Sequence, residues 1–198
     1  MTALPDLLAD LTSGNDIRAE NAIPAIAELG PAALPALVEL THHPSADFRW
    51  WAVFALAALP EARTADLLPL LEDPAPEVRA AAALAICGHA HESAVPRLIT
   101  LLGDEDALVS GLAGNALVKI GGPSVAALLE ILTLRAAPGR DEAPTRVRIL
   151  ALRALAEIRD PRAIPVMMSS MSEASAVLQY WAQAGLERLG LDMVYIKP

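Results

Sequence analysis

Six segments of this chain share one apolar frame: residues 17–30, 48–60, 78–90, 109–121, 147–159 and 178–190. Their last full turns align as Leu29, Leu59, His89, Ile120, Ile158 and Leu189, at successive intervals of 30, 30, 31, 38 and 31 residues. Three residues earlier sit Ile26, Leu56, Ile86, Leu117, Leu155 and Leu186, in the same register. Self-similarity at a period near thirty constrains the fold more than any other property of the chain. Within a copy, apolar residues recur three and four apart, as at Val147, Ala151, Ala154, Leu155 and Ile158, which is a helical period. A second, shorter stretch carries an early proline, as in Leu34-Pro35, Leu68-Pro69, Val95-Pro96 and Ile164-Pro165. Proline is tolerated at a helix start because the N–H it lacks has no partner there. Thirty residues leave about 12 per helix, roughly 18 Å of length. One such pair cannot bury its apolar face, whereas stacked pairs can. The spacing predicts an all-α fold, a single right-handed α-solenoid of about six helix-pair repeats over residues 1–198. Repeats are expected to end near 30, 60, 90, 121, 159 and 190, with 191–198 as a capping tail.

Composition and charge remove other classes. The chain has 40 alanines and 32 leucines, the two best apolar helix formers, and its 54% hydrophobic content is not that of a disordered chain. Fifteen basic residues stand against 24 acidic ones, and the first hundred residues hold five against 13. A nucleic-acid binder needs a basic footprint, so none is expected. Locally, seven of the 13 arginines fall between Arg135 and Arg162 against four acids. That stretch reads as a solvated helix face and loop, with a docking patch for an acidic partner as the alternative. Cys87 is the only cysteine, which fits a reducing compartment. The acidic N-terminus is unlike a secretory signal, and the longest uncharged run, Ala174 to Leu186, is 13 residues where a membrane span needs about 20. A cytoplasmic protein without membrane contact is expected.

The frame resembles HEAT-like repeats, in the short version of about thirty residues typified by phycocyanobilin lyase subunits. Two stretches carry the resemblance. One runs from Asp73-Pro74 through Glu77-Val78-Arg79 to Ala82-Ala83; the other is Arg159-Asp160-Pro161-Arg162-Ala163-Ile164-Pro165. The resemblance implies a structural role for the column Arg49, Arg79 and Arg148, with Arg18 one residue out of step. Each arginine would bond an acid in its preceding turn, as Asp73 precedes Arg79 and Glu142 precedes Arg148 by six residues. Where the column holds Ser110 and Gln179, an acid still stands at Asp104 and Glu173. The resemblance also implies that this second helix lines a concave surface.

Helix geometry places the residues one, five and eight positions after the arginine column furthest from the buried side. Those places hold Trp50, Phe54, Leu84, Asn115, Ile149, Arg153 and Tyr180, with small residues between them. Aromatic pairs, Trp50-Trp51 and Tyr180-Trp181, occupy equivalent columns of the second and sixth copies. With helix axes about 10 Å apart, roughly 40 Å separate them. Such a stripe suits an extended peptide or partner helix. The expected protein-binding residues are therefore Trp50, Trp51, Phe54, Leu84, Asn115, Ile149, Arg153 and Tyr180. The competing occupants are neighbouring repeats, or a second copy of the chain in a homodimer.

Enzyme signatures are absent from the sequence: no phosphate-binding G-x-x-x-x-G-K-[ST] and no G-x-S-x-G nucleophile turn. Cys87, His89, His91 and Glu92 offer ligand chemistry in one turn, but their spacing fits no strong zinc pattern, and H-E-x-x-H fails at Val95. No metal or cofactor is expected. About seven extra residues around Leu134–Pro144 read as a surface insertion. The sequence thus reads as a non-catalytic protein–protein interaction scaffold. A subunit or chaperone resembling the phycobilin lyases, handling a tetrapyrrole and its acceptor, is the alternative. A HEAT-like DNA glycosylase is disfavoured by the net charge of −9.

Overall fold

The computed structural model of the chain describes residues 3–133 and 144–191. The expected insertion around 134–143, the ladder residue Glu142 and the tail 192–198 lie outside the described residues. Within the described residues the fold is all-α, with twelve α-helices and no strand. Two compact units divide the chain at residues 94 and 95.

The first unit holds α1 (Leu4–Leu11), α2 (Asp16–Glu28), α3 (Leu34–Leu40), α4 (Ala46–Ala57), α5 (Thr64–Leu67) and α6 (Pro76–Gly88). Helices α1 and α2 pack as one pair and α3 and α4 as the next, while α2, α4 and α6 pack side by side. The second unit holds α7 (Val95–Leu101), α8 (Ala107–Ile120), α9 (Val125–Thr133), α10 (Thr145–Ile158), α11 (Ile164–Ser170) and α12 (Ala176–Arg188). Its pairs are α7 with α8, α9 with α10 and α11 with α12, and α10 contacts both α8 and α12.

The two helices of a pair differ in length, unlike the even division the period suggests. Second helices run 12 to 14 residues. First helices such as α3 and α11 run seven, each preceded by one 3₁₀ turn, Gly30–Ala32 and Pro161–Ala163. In the third copy α5 passes straight into a 3₁₀ stretch, Leu68–Glu72. Pro35, Pro69 and Pro165 sit at the second residue of their elements, where the N–H each lacks has no intrahelical partner. Asp160 caps one such turn, accepting from the Arg162 N–H at 2.9 Å, and its pKa is lowered to about 2, chiefly by the Arg162 guanidinium. Copies end where the backbone reverses, at Gly30, Gly121, Arg159 and Gly190, all with positive φ.

The repeated columns are the core. In the first unit Ile26, Leu56 and Ile86 are fully buried, and in the second Leu117, Leu155 and Leu186 are buried to within 1%. Four residues before each stands an alanine: Ala22, Ala52, Ala82, Ala113, Ala151 and Ala182, all buried. A neighbouring column is tight as well, at Gly185 on α12, which packs against α11 and α10. A Cβ on Gly185 would lie 2.7 Å from Met167 Sδ and 3.0 Å from Ala156 Cβ. Because Ala82 is fully buried on α6, Ala82→Leu is expected to overpack the first unit. Urea unfolding should show a loss of about 1–3 kcal/mol.

Candidate functional site

Helix α4 gathers four of the chain's few aromatic residues on two turns, because Phe48, Trp50, Trp51 and Phe54 fall within seven residues. The Trp50 and Phe54 rings lie 4.2 Å apart at a tilt, and Trp50 meets Trp51 edge-on at 4.7 Å. Trp50 and Phe54 are half-buried, whereas Trp51 is buried. Between α4 and α6 runs a shallow groove of about 150 Å³, with Phe54 and Leu84 among its walls and Ala57, Ala81, Ala85 and Gly88 as its small residues. Leu84 is 50% exposed at its rim. A second cavity, of about 370 Å³, lies at the N-terminal ends of α2, α4 and α6, where Trp50 and Trp51 meet Phe48, Asp16, Asp47 and Glu77. Sequence reasoning named the two tryptophans and missed the other four. The missed signal is a column: an acid stands two residues before Arg18, Arg49 and Arg79 in turn.

In the second unit Tyr180 is 61% exposed and stands edge-on to Trp181 at 5.2 Å. The Arg188 guanidinium lies 5.9 Å over the Trp181 ring, within reach of a cation–π contact. Ile149 is half-buried. Arg153 and Asn115 come together as a polar pair: Arg153 Nη2 donates to Asn115 Oδ1 and its Nε donates to Glu157 at 2.9 Å. The cation expected on the stripe is therefore held by its own helix and the neighbouring one.

The arginine column works in a register one repeat different from the expected ladder. Arg49 Nη1 donates to the carbonyls of His43 and Pro44, at 2.9 and 3.0 Å. Arg79 Nη1 donates in the same way to the carbonyl of Asp73 at 2.8 Å, and Gln179 Nε2 to that of Glu173 at 2.6 Å. Within its own copy the column thus bonds the turn's backbone, six residues back. Its acid partner comes from the next copy. Arg49 grips the Asp73 carboxylate with Nε and Nη2, at 2.6 and 2.7 Å, and Arg148 pairs with Glu173. The geometric reason is direction: the preceding turn offers carbonyls to a column side chain, while the carboxylate of that turn points back at the copy before. Asp73 Oδ1 also accepts from the Ala75 N–H at 2.9 Å. At Ser110, which is too short to reach, Arg146 of the following copy bonds the Asp104 carbonyl.

The histidine turn shows local bonding. Cys87 Sγ donates weakly to the Ala83 carbonyl, His91 Nδ1 meets Ser93, and the His89 ring lies 3.3 Å from the Ala57 carbonyl. Among the described residues no three His, Cys, Asp or Glu side chains converge as a metal site. No single described helix is long and apolar enough to cross a membrane.

Comparison with known proteins agrees with this architecture. Residues 64–143 match the HEAT repeats family and residues 147–173 the PBS lyase HEAT-like repeat. A search of curated proteins returned no match. Among solved structures, an engineered protein aligns with a TM-score of 0.58 at 23% identity, covering 96% of this chain and 99% of its own. A designed armadillo repeat protein in complex with the peptide (KR)4 aligns at 0.56 and 22%, covering 95% and 100%. The complex of CpcE and CpcF of phycocyanin lyase from Nostoc sp. PCC7120 aligns at 0.54 and 22%, covering 96% of this chain and 78% of that one. Stacked helix pairs, buried repeat columns and both family matches identify HEAT-like repeats over residues 64–143 and 147–173, in an α-solenoid fold.

Proposed function

We propose that the chain is a non-catalytic protein-interaction scaffold that docks a segment of another protein on the face of its second helices. The observation that carries this reading is the exposure of Leu84 and Tyr180, two large apolar side chains on that face, each in a different unit. Exposed apolar side chains beside aromatic rings are what a docking partner covers. Solved structures of the same fold hold a peptide in one case and a partner subunit in another, which supports a segment or subunit as occupant. The single cysteine suits a reducing, cytoplasmic setting. Residues assigned to docking are Trp50, Phe54 and Leu84 in the first unit and Ile149 and Tyr180 in the second, with Asn115 and Arg153 as polar neighbours.

The test is quantitative affinity purification with the wild type and a Trp50→Ala, Tyr180→Ala double variant. Loss of two aromatic anchors should reduce recovery of the cognate partner about tenfold or more. Equal recovery of every partner would overturn the reading. Sedimentation of the isolated chain separates self-association from docking, since a homodimer through this face should dissociate in the same variant.

One observation favours a second reading. The match of residues 147–173 to the PBS lyase HEAT-like repeat points to a subunit handling a linear tetrapyrrole and its acceptor protein. A shift of the bilin absorbance band on mixing with phycocyanobilin would support it; an unchanged spectrum would remove it.

A further inference from the structure

We infer that the cavity at the N-terminal ends of α2, α4 and α6 docks an extended basic segment of a partner, whose lysine or arginine side chains lie between the α4 tryptophans and a row of carboxylates. The inference rests on the docking reading above and adds the partner's chemistry. The cavity holds about 370 Å³ and has two kinds of wall: the rings of Phe48, Trp50 and Trp51, and the carboxylates of Asp16, Asp47 and Glu77. An aromatic face beside carboxylates suits a cation with an aliphatic stem, because the stem packs on the ring and the charge meets both the ring quadrupole and the acid.

The three carboxylates are exposed and enter no ion pair among the described residues. Nearby cations are committed elsewhere: Arg18 to Asp10, and Arg49 to Asp73 and to two carbonyls, though Glu77 feels the charge of Arg49. First-turn acids also complement the helix dipole. The dipole alone does not require them here, since α10 and α12 have no acid at the N-cap or in the first turn. In the column of Asp47 and Glu77, which Asp16 precedes by one residue, the second unit carries Leu108, Arg146 and Val177. The acidic row therefore belongs to the first unit, which has 13 acidic and four basic residues in all.

Spacing adds to the match. Packed helices set the acids one helix step apart, about 8–10 Å. A polyproline-type segment repeats its side-chain direction every three residues, about 9 Å. An extended segment with a basic residue at every third position would present one cation to each carboxylate.

The test uses the full chain and a fluorescein-labelled (Arg-Pro-Pro)4 peptide, with (Glu-Pro-Pro)4 as control, read by anisotropy at low and high salt. The basic peptide should bind, its affinity should fall with salt, and the acidic peptide should not bind. Asp47→Asn with Glu77→Gln should weaken binding about tenfold. Trp50→Ala should weaken it about fivefold. Glu20→Gln with Glu28→Gln, which removes the same charge from exposed sites on α2, should leave it within twofold. Unchanged melting temperatures establish that each variant is folded. Equal weakening by both charge pairs would reduce the effect to the general field of the chain and overturn the site. Binding that Asp47→Asn with Glu77→Gln leaves intact would overturn the basic-partner assignment, while the aromatic double variant independently decides whether the face docks a protein at all.

Discussion

Asp73→Asn should destabilise the protein by about 3–5 kcal/mol in urea unfolding, the cost of leaving a buried charge without its partner. Arg49 and Asp73 have side chains only 11% and 5% exposed, and their two-pronged contact has both nitrogens within 2.7 Å of the carboxylate. Desolvation is severe at that burial, so the pair is held by geometry more than by charge alone. A double variant, Arg49→Met with Asp73→Leu, should lose less than Asp73→Asn, because no charge is then stranded. It still gives up the hydrogen bonds to His43, Pro44 and Ala75, each worth about 1 kcal/mol.

The same pair sets an acid limit. Burial pushes the Asp73 carboxyl up, but the Arg49 hydrogen bond, the Ala75 N–H and the charges of Arg49 and Arg79 outweigh it, so the pKa falls below 3.8. A carboxyl whose pKa is lower in the folded state contributes stability that is complete above its unfolded pKa. That stability disappears as pH drops through the folded value. Wild type should therefore lose stability more steeply than the double variant below about pH 4, as read by urea midpoints against pH.

Leu117→Ala is expected to cost about 2–5 kcal/mol, the range for emptying a fully buried leucine site. Leu117 is 0% exposed on α8, which packs between α7 and α10. Leu84→Ala provides the contrast: half-exposed, it should cost less than about 1 kcal/mol. A docking residue and a core residue of the same type are separated by that difference.

The helical columns were readable from the sequence because burial on a second helix repeats with the period itself, as Ile26, Leu56 and Ile86 show. The short first helices were not, since proline position fixes the start of an element and says nothing about the 3₁₀ turn that leads into it. The arginine column was recognised, but the carboxylates that Arg49 and Arg148 meet, Asp73 and Glu173, come from the following copy. Spacing along the chain favours the nearer acid; the fold aims the Arg49 and Arg148 guanidinium groups at the next copy, while Arg79 bonds the Asp73 carbonyl of its own. Of the face residues, exposure of Leu84 and Tyr180 followed from helix phase. The burial of Trp51 did not, because it depends on the neighbouring helix. Asp16, Asp47 and Glu77 escaped notice for a similar reason: as first-turn acids each is ordinary, and only the cavity brings them together.

The forward reach of Arg49 also bears on how such arrays can grow or shrink. A copy that ends at its apparent boundary, near residue 60, carries its arginine but not the carboxylate that neutralises it. The heritable cassette is therefore longer than the visible motif, running from the turn at His43 to that at Asp73. Recombination that inserts or removes whole periods keeps every donor supplied, wherever the crossover falls. A cut that falls short of Asp73 leaves a charged, half-solvated end, so the lineage of these chains should record gains and losses of complete periods.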